Sequence, residues 1–235
     1  MTEPYIIYNG IDSRDFGVVI EKLPDLHRAP ENVKDTPVDG RDGQLEEADG
    51  TSNIYTDGMR VNCFGRPLRD VYAWLCGAGW MVSSDEPDRK MWVSIHITPK
   101  NSRFRVEETC YDAVTFTLYC QPYRYFYPDV PDVIITERPG IVDNPGTHRC
   151  APVITIRASG DFAVIIGKYH MDFEGVTEGI IVDCELQECF SLDRMALMNQ
   201  YASMDDFPML EPGENDVEWI GSVESITIER RCRDK

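Results

Sequence analysis

The sequence predicts a mainly-β protein, with one α-helix lying on a sheet in its first half and an antiparallel β-sandwich in its second. Three observations carry this. In "AVTFTLYC", Val114, Phe116, Leu118 and Cys120 alternate with Thr115, Thr117 and Tyr119, the period of a half-buried strand. One stretch, "RPLRDVYAWLCG", has the 3.6-residue period of an amphipathic helix. Beyond residue 147, short β-branched runs follow one another with tight turns between them, the pattern of a sandwich or barrel.

Taken in order, "YIIY" (5–8), "MWVSIHI" (91–97) and "YDAVTFTLYC" (111–120) are rich in β-branched and aromatic residues and read as strands. Between the first strands, "VDGRDGQLEEADG" holds three Asp-Gly pairs. That dipeptide suits turns needing positive φ, so a loop or hairpin is expected. The helix is placed near 67–76. Pro67 suits its first position, Leu68, Val71, Tyr72 and Leu75 share a face, and Gly77 stands where a cap is needed. From 122 to 147, "QPYRYFYPDVPD" and "ERPGIVDNPGTH" are rich in proline and read as an interdomain crossing. "VITIRA", "FAVIIG", "YHMDF", "GIIVDC" and "ELQECF" then follow as strands, separated by turns such as "SGD" (159–161) and "EGVTEG" (174–179). "ESITIERRC" ends the pattern. The expected domains are 1–135 and 136–235, with the last strand, 224–232, a candidate to pack back towards the first domain.

The composition, 42% hydrophobic and 27% charged, is that of a soluble globular protein. A net charge of −18 argues against tight binding to nucleic-acid phosphates or anionic membranes, which want clustered cations. The basic tail "ERRCRDK", with Arg230, Arg231, Arg233 and Lys235, reads as a solvated terminus. Cys63, Cys76, Cys110, Cys120, Cys150, Cys184, Cys189 and Cys232 form no CxxC. The nearest pair, Cys184 and Cys189, has no further ligand nearby, so free buried thiols in a protein made in the cytosol are expected. "MTEPYIIYNG" has no basic region or long apolar stretch, so no signal peptide is expected. No run approaches the roughly 18 apolar residues of a membrane helix.

Nothing assembles into a catalytic centre. GxSxG, P-loop and HExxH motifs are absent. His27, His96, His148 and His170 lie far apart in sequence, and His96 and His170 sit in strand runs as packed or edge imidazoles. Asp183, ending an apolar strand, reads as a turn residue that bonds its own backbone. "GEND" (213–216) lacks the alternating ligands of a calcium loop. No catalytic, cofactor-binding or metal-ligating residue is therefore expected, and the protein is read as a non-enzyme. With 41 acids a carboxylate pair of glycosidase type remains a rival. In "DDFPMLEPGENDVEW" (205–219), Phe207, Met209 and Leu210 are expected to plug the sandwich or a neighbouring domain. Pro208 and Pro212 extend the backbone, Gly213 turns it, and Asp205, Asp206, Glu211 and Glu214 stay in water.

In their order, these segments resemble the distal tail (Dit) proteins of long-tailed, non-contractile phages. The resemblance is carried by "YNGIDSRDFGVVI", "PVDGRDG", "LRDVYAWLCG", "FTLYCQPYRY", "NPGTHRCAPVITIRASGDFAVII", "GIIVDCELQECF" and "FPMLEPGENDV", which run along nearly the whole chain. It includes the family's N-x-G start of a second domain, a P-x-I strand and a short-turn hairpin. It implies a galectin-like C-terminal sandwich and a virion structural protein, made in the host cytoplasm and placed at the tail tip. It also implies a homo-hexameric ring that joins the tail tube protein to the tail-associated lysin or hub, with receptor-binding or baseplate proteins attaching peripherally. DNA would pass through the ring, and an acid-lined lumen would repel its phosphates. The galectin sugar motifs are absent, since Trp219 in "VEWIGSVES" lacks the following glycine and the arginine. The alternative is a carbohydrate-binding tail-tip protein, in which Trp80, Trp92 or Trp219 stacks on sugar. Trp74 and Trp92 are expected to be buried instead.

Overall fold

Alternating side chains pair into long antiparallel ladders. The computed structural model describes residues 3–25, 27–37, 39–40, 42–64, 66–106 and 109–235. The chain divides into one unit of Met1–Tyr127 with Lys235 and a second of Pro128–Asp234.

The first unit contains β1 (Ile6–Tyr8), β2 (Ile11–Asp12), β3 (Val18–Lys22), β4 (Glu31–Pro37), β5 (Gln44–Ser52), β6 (Tyr55–Phe64), α1 (Leu68–Trp74), β7 (Gly77–Ser83), β8 (Glu86–Val106) and β9 (Thr109–Phe126). One sheet runs β2-β1-β7-β8-β9-β6-β3, while β4 and β5 form a separate two-stranded sheet. The helix spans 68–74, shorter than the expected 67–76, because Pro67 stays extended and takes the N-cap position. Gly77, at φ +76°, turns the chain into β7. Two turns of helix are marginal alone. The fully buried Val71 and Leu75 hold it against Tyr8, Met59, Val61, Met81, Val93, Phe116 and Leu118 of the sheet core.

The proline-rich region begins later than the sequence implies. β9 stays paired with β8 as far as Phe126, opposite Arg89. Pro122 does not stop it, because it lies in the register irregularity between the Val93–Cys120 and Met91–Arg124 pairs, where a missing N–H costs no ladder bond.

The second unit contains β10 (Val133–Ile135), β11 (Gly140–Asn144), β12 (Val153–Ile166), β13 (Tyr169–Val176), β14 (Ile180–Asp183), β15 (Glu188–Phe190), β16 (Ala202–Met204) and β17 (Gly213–Glu229). Here too one expectation is corrected. "VITIRA" and "FAVIIG" are not two strands joined by a hairpin turn at 159–161. They are halves of β12, which pairs with β17 throughout and shifts register between Arg157 and Phe162. The first half of β12 pairs with β14 and the second with β13, while β17 meets β11 with its first half and β10 with its second. Two bent strands thus serve two sheet layers, the corner construction of a sandwich. Burial follows the bend. Asn215, Val217 and Trp219 point inward before it and Ile226 and Ile228 after it, a change of phase that only an irregularity permits. Phe162 and Phe173 stack in the core with centroids 4.8 Å apart.

Candidate assembly site

The first unit fastens its opening motif to its helix. Asn9 (φ +50°) and Gly10 (φ +79°) make the β1–β2 turn, as Asn-Gly pairs do in tight hairpins. The Tyr8 hydroxyl donates towards the carbonyls of Cys76 (3.2 Å) and Gly77 (3.1 Å), and Trp74 Nε1 donates to the Tyr8 carbonyl (3.2 Å). Phe16 packs on Trp74 at 4.5 Å. Buried Ser13 accepts from the Ile6 N–H through Oγ at 3.1 Å. "YNGIDSRDFG" and "LRDVYAWLCG" are therefore two sides of one joint.

Two surfaces of this unit stand out as exposed among the described residues. The β4–β5 hairpin buries almost nothing, with Val33 44% and Leu45 45% exposed. Asp35 stands directly opposite Glu46 in its register, a like-charge pair that weakens an isolated hairpin. The "VDGRDG" turn falls here in part, although Val38 and Arg41 lie outside the described residues. The second surface is aromatic. Trp80 stands opposite Trp92, with ring centroids 5.2 Å apart, and Tyr125 lies 5.2 Å from Trp80. Lys90 sits over the Trp80 ring at 4.9 Å. Trp92 is 37% exposed, which corrects the expectation of burial: the apolar run around it faces the core only at alternate positions. Trp74 is buried as expected, and Trp219, 6% exposed, has no free face for a sugar.

In the second unit, "DDFPMLEPGENDVEW" is held by two buried asparagines. Asn215 accepts from the Glu211 N–H (2.9 Å) and donates to the carbonyls of Glu211 and Gly213 (2.9 Å each). Asn144 donates to the carbonyls of His148 (3.1 Å) and Leu210 (3.0 Å) and accepts from the Gly146 N–H (3.0 Å). Leu210 is the plug, fully buried, while Phe207 and Met209 are half-buried and Asp205, Asp206, Glu211 and Glu214 are exposed. "GEND" is thus the start of β17, its Asn215 tying down the turn before it, and "NPG" is a side-chain-capped step.

Asp183 accepts from the N–H groups of Glu185 and Leu186, both 3.2 Å, the turn role expected. It is also buried against Arg231 (3.4 Å) and Arg194 (3.8 Å), partners 48 and 11 positions away that local reading misses. Arg231 also pairs with Glu185 at 2.8 Å. Arg230 donates to the carbonyls of Pro131 (2.6 Å) and Asp143 (3.0 Å). The basic segment is therefore a structural clasp rather than a solvated terminus.

The described histidines do not converge. His96 Nε2 lies 3.3 Å from Ser94 Oγ, and His170 Nε2 lies 3.0 Å from the exposed Asp172; His148 bonds through its backbone to Arg233; His27 stands edge-on to Tyr55. Of the cysteines, Cys76 is exposed, against expectation, and the others described are buried; the Cys110 side chain lies outside the described ones. Burial pushes the Cys63, Cys120 and Cys189 thiols up to about 11, so they stay protonated and unreactive at neutral pH. At the corner of β12 and β17, an open cavity of about 480 Å³ is lined by Arg157, Ser159, Thr177, Glu178, Ser222 and Glu224 with no aromatic ring, a poor seat for a sugar that needs stacking.

Together these features define a two-unit, mainly-β protein. Among the solved structures it resembles is the Dit protein (gp 19.1) of phage SPP1, described as a paradigm of the hub adsorption apparatus in phages infecting Gram-positive bacteria. The likeness has a TM-score of 0.74 at 15% identity and covers 97% of this chain and 99% of that one. The chain therefore has the fold of a phage Dit protein. No protein-family model matches the sequence, and no curated protein matches it.

Proposed function

We propose that the chain is a distal tail component of a long-tailed phage, forming a hexameric ring that joins the tail tube to the tail tip and lets DNA pass. The observation that carries this is the end-to-end likeness to the SPP1 protein, with almost nothing left over on either side. A likeness confined to a sandwich would say little, because folds of that kind host many functions. Here both units are covered, and the family-like sequence segments form the joints of each.

The largely exposed β4–β5 arm and the Trp80–Trp92 face support self-assembly. In a ring, one patch on each copy meets a different patch on the next. Each chain carries −18, so closure needs local complementarity, and an acidic arm calls for a cationic seat on its neighbour. The tube protein, the lysin or hub and a peripheral adhesion protein are the proposed partners. Part of the acid excess is proposed to face the channel, where it repels phosphates within about 8–10 Å at physiological salt. Light scattering on the purified chain tests the ring: six times 26.8 kDa is expected, and a monomer at high concentration, with or without the tube protein, counts against it.

The carbohydrate-binding alternative retains one observation, the exposed Trp92 beside Trp80. A glycan array read with wild type and Trp92→Ala decides it: specific binding lost in the variant supports a sugar site, and no signal removes it.

A further inference from the structure

The loop between β3 and β4 and the first residues of β6 bring three metal-binding side chains together. One ligand atom from each of Asp25, His27 and Asp57 lies within 4.8 Å of the other two. Asp57 stands on the inward face of β6, two positions before the fully buried Met59, and opposite Leu118 of β9. Its Oδ1 accepts from the Gly58 N–H at 2.6 Å. Its Oδ2 is buried and has no hydrogen-bond partner among the described residues. A buried carboxylate oxygen in that state is costly until something positive reaches it. Asp25 is exposed and holds Lys22 through Oδ2 at 2.9 Å, and a carboxylate has a second oxygen to offer. His27 is exposed too, with its ring 6.0 Å from that of Tyr55. Lys22 brings one positive charge against two carboxylates, so with a neutral imidazole the cluster stays net negative.

We infer that Asp25, His27 and Asp57 bind a divalent transition-metal ion of the zinc class, which pins the root of the β4–β5 arm. Two carboxylate oxygens and one imidazole nitrogen are a zinc-type donor set, with water completing the tetrahedron. The imidazole selects against calcium and magnesium, which take oxygen ligands. Bonds of about 2.0–2.2 Å put neighbouring ligand atoms roughly 3.4 Å apart. The exposed Asp25 and His27 side chains therefore draw in towards Asp57 by about 1 Å when the ion binds. The site lies where the arm meets the sheet. The chain enters the arm from His27 to Pro30 and leaves it from Asn53 to Asp57, and the Asn53 N–H donates to the Pro30 carbonyl at 2.9 Å. Within the arm Asp35 faces Glu46, and their repulsion leaves the hairpin in need of an anchor at its base. An ion held from both sides of the root ties it more firmly than that one hydrogen bond. All three ligands belong to one chain, so the site stands whether or not the copies form a ring.

The test uses the full-length chain, free of any affinity tag and stripped with chelator. It is titrated with zinc chloride by calorimetry and with cobalt chloride by visible absorption. One equivalent per chain is expected, with the cobalt spectrum of a tetrahedral site. His27→Ala and Asp57→Asn should each weaken binding at least about tenfold, the loss that disturbing even a supporting residue of a metal site brings. Cys76→Ser and His170→Ala, which alter the exposed thiol and the exposed His170–Asp172 pair, should leave it unchanged. Zinc at about 100 times its dissociation constant should raise Tm by about 5–10 °C in wild type and in neither ligand variant. His27 is exposed, so His27→Ala reads the site in a chain that still folds. Hydrogen exchange around Asp25 and Asn53 should slow when zinc is added. No saturable binding up to about 1 mM zinc, binding that survives His27→Ala, or binding lost in Cys76→Ser would overturn the site. Zinc bound through these residues with exchange unchanged at both places would overturn the pin. A monomer that binds zinc in this way would count against the ring and leave the inference standing.

Discussion

Leu210 and Phe207 sit three positions apart in one loop and carry unequal weight. Leu210 is fully buried, and its N–H and carbonyl both bond to Cys150, at 2.9 and 3.0 Å. Leu210→Ala should cost about 3–4 kcal/mol of second-unit stability, whereas half-buried Phe207 should cost about 1–2 kcal/mol. Urea melts of the two variants check this, and equal losses would show that burial misjudges Phe207. Gly146→Ala should cost about 2–4 kcal/mol, because the added Cβ meets backbone rather than a side chain that can swing away. A wild-type melt for that variant would show that the clasp is loose. The buried thiols set a pH dependence. Their ordinary value near 9 rises to about 11 for Cys63, Cys120 and Cys189, so the unfolded chain loses these protons first. Their contribution is complete below pH 9 and falls as pH climbs to about 11, by up to about 1.4 kcal/mol per pH unit for each thiol. Denaturant melts at pH 8 and 10.5 should differ accordingly, and variants with Cys120→Val should differ less. The signal of Asp183 as a turn residue was local and visible in sequence. Its pairing with Arg231 was not, because nothing near either residue records a contact across 48 positions.

Elements follow the same division between near and far information. The helix face of Leu68, Val71, Tyr72 and Leu75 and the alternation in β9 were legible because periodicity is a short-range property. The strand-like "VDGRDGQLEEADG" region was legible as a hairpin through its Asp-Gly turns. The continuity of β12 was hidden, because "SGD" looks like a hairpin turn and only pairing with β17 makes it a corner. Likewise, Pro122 looked like a strand end until the register placed it in a bulge. The β4–β5 arm yields the prediction proper to this scale. Val33→Ser with Leu45→Ser should leave monomer stability within about 0.5 kcal/mol, since both are exposed, yet weaken ring formation. Sedimentation of the double variant checks this; a hexamer unchanged over the same concentration range would rule the arm out as a contact.

For the whole molecule, fold class and the presence of two β-rich parts could be read from composition and pattern. Which surfaces are free could not, since exposure is decided by packing between distant strands. Trp92 shows the difference: its run is apolar, yet its own side faces outward. The central claim is that six copies encircle the distal end of a tail tube, and density of that region in an intact virion tests it most directly. Cryo-electron microscopy should show a six-fold ring at the end of the tube into which the first unit fits once per copy, with the second unit accounted for in each copy. Virions whose tail tip lacks this chain, or holds it without six-fold repetition, would contradict the account.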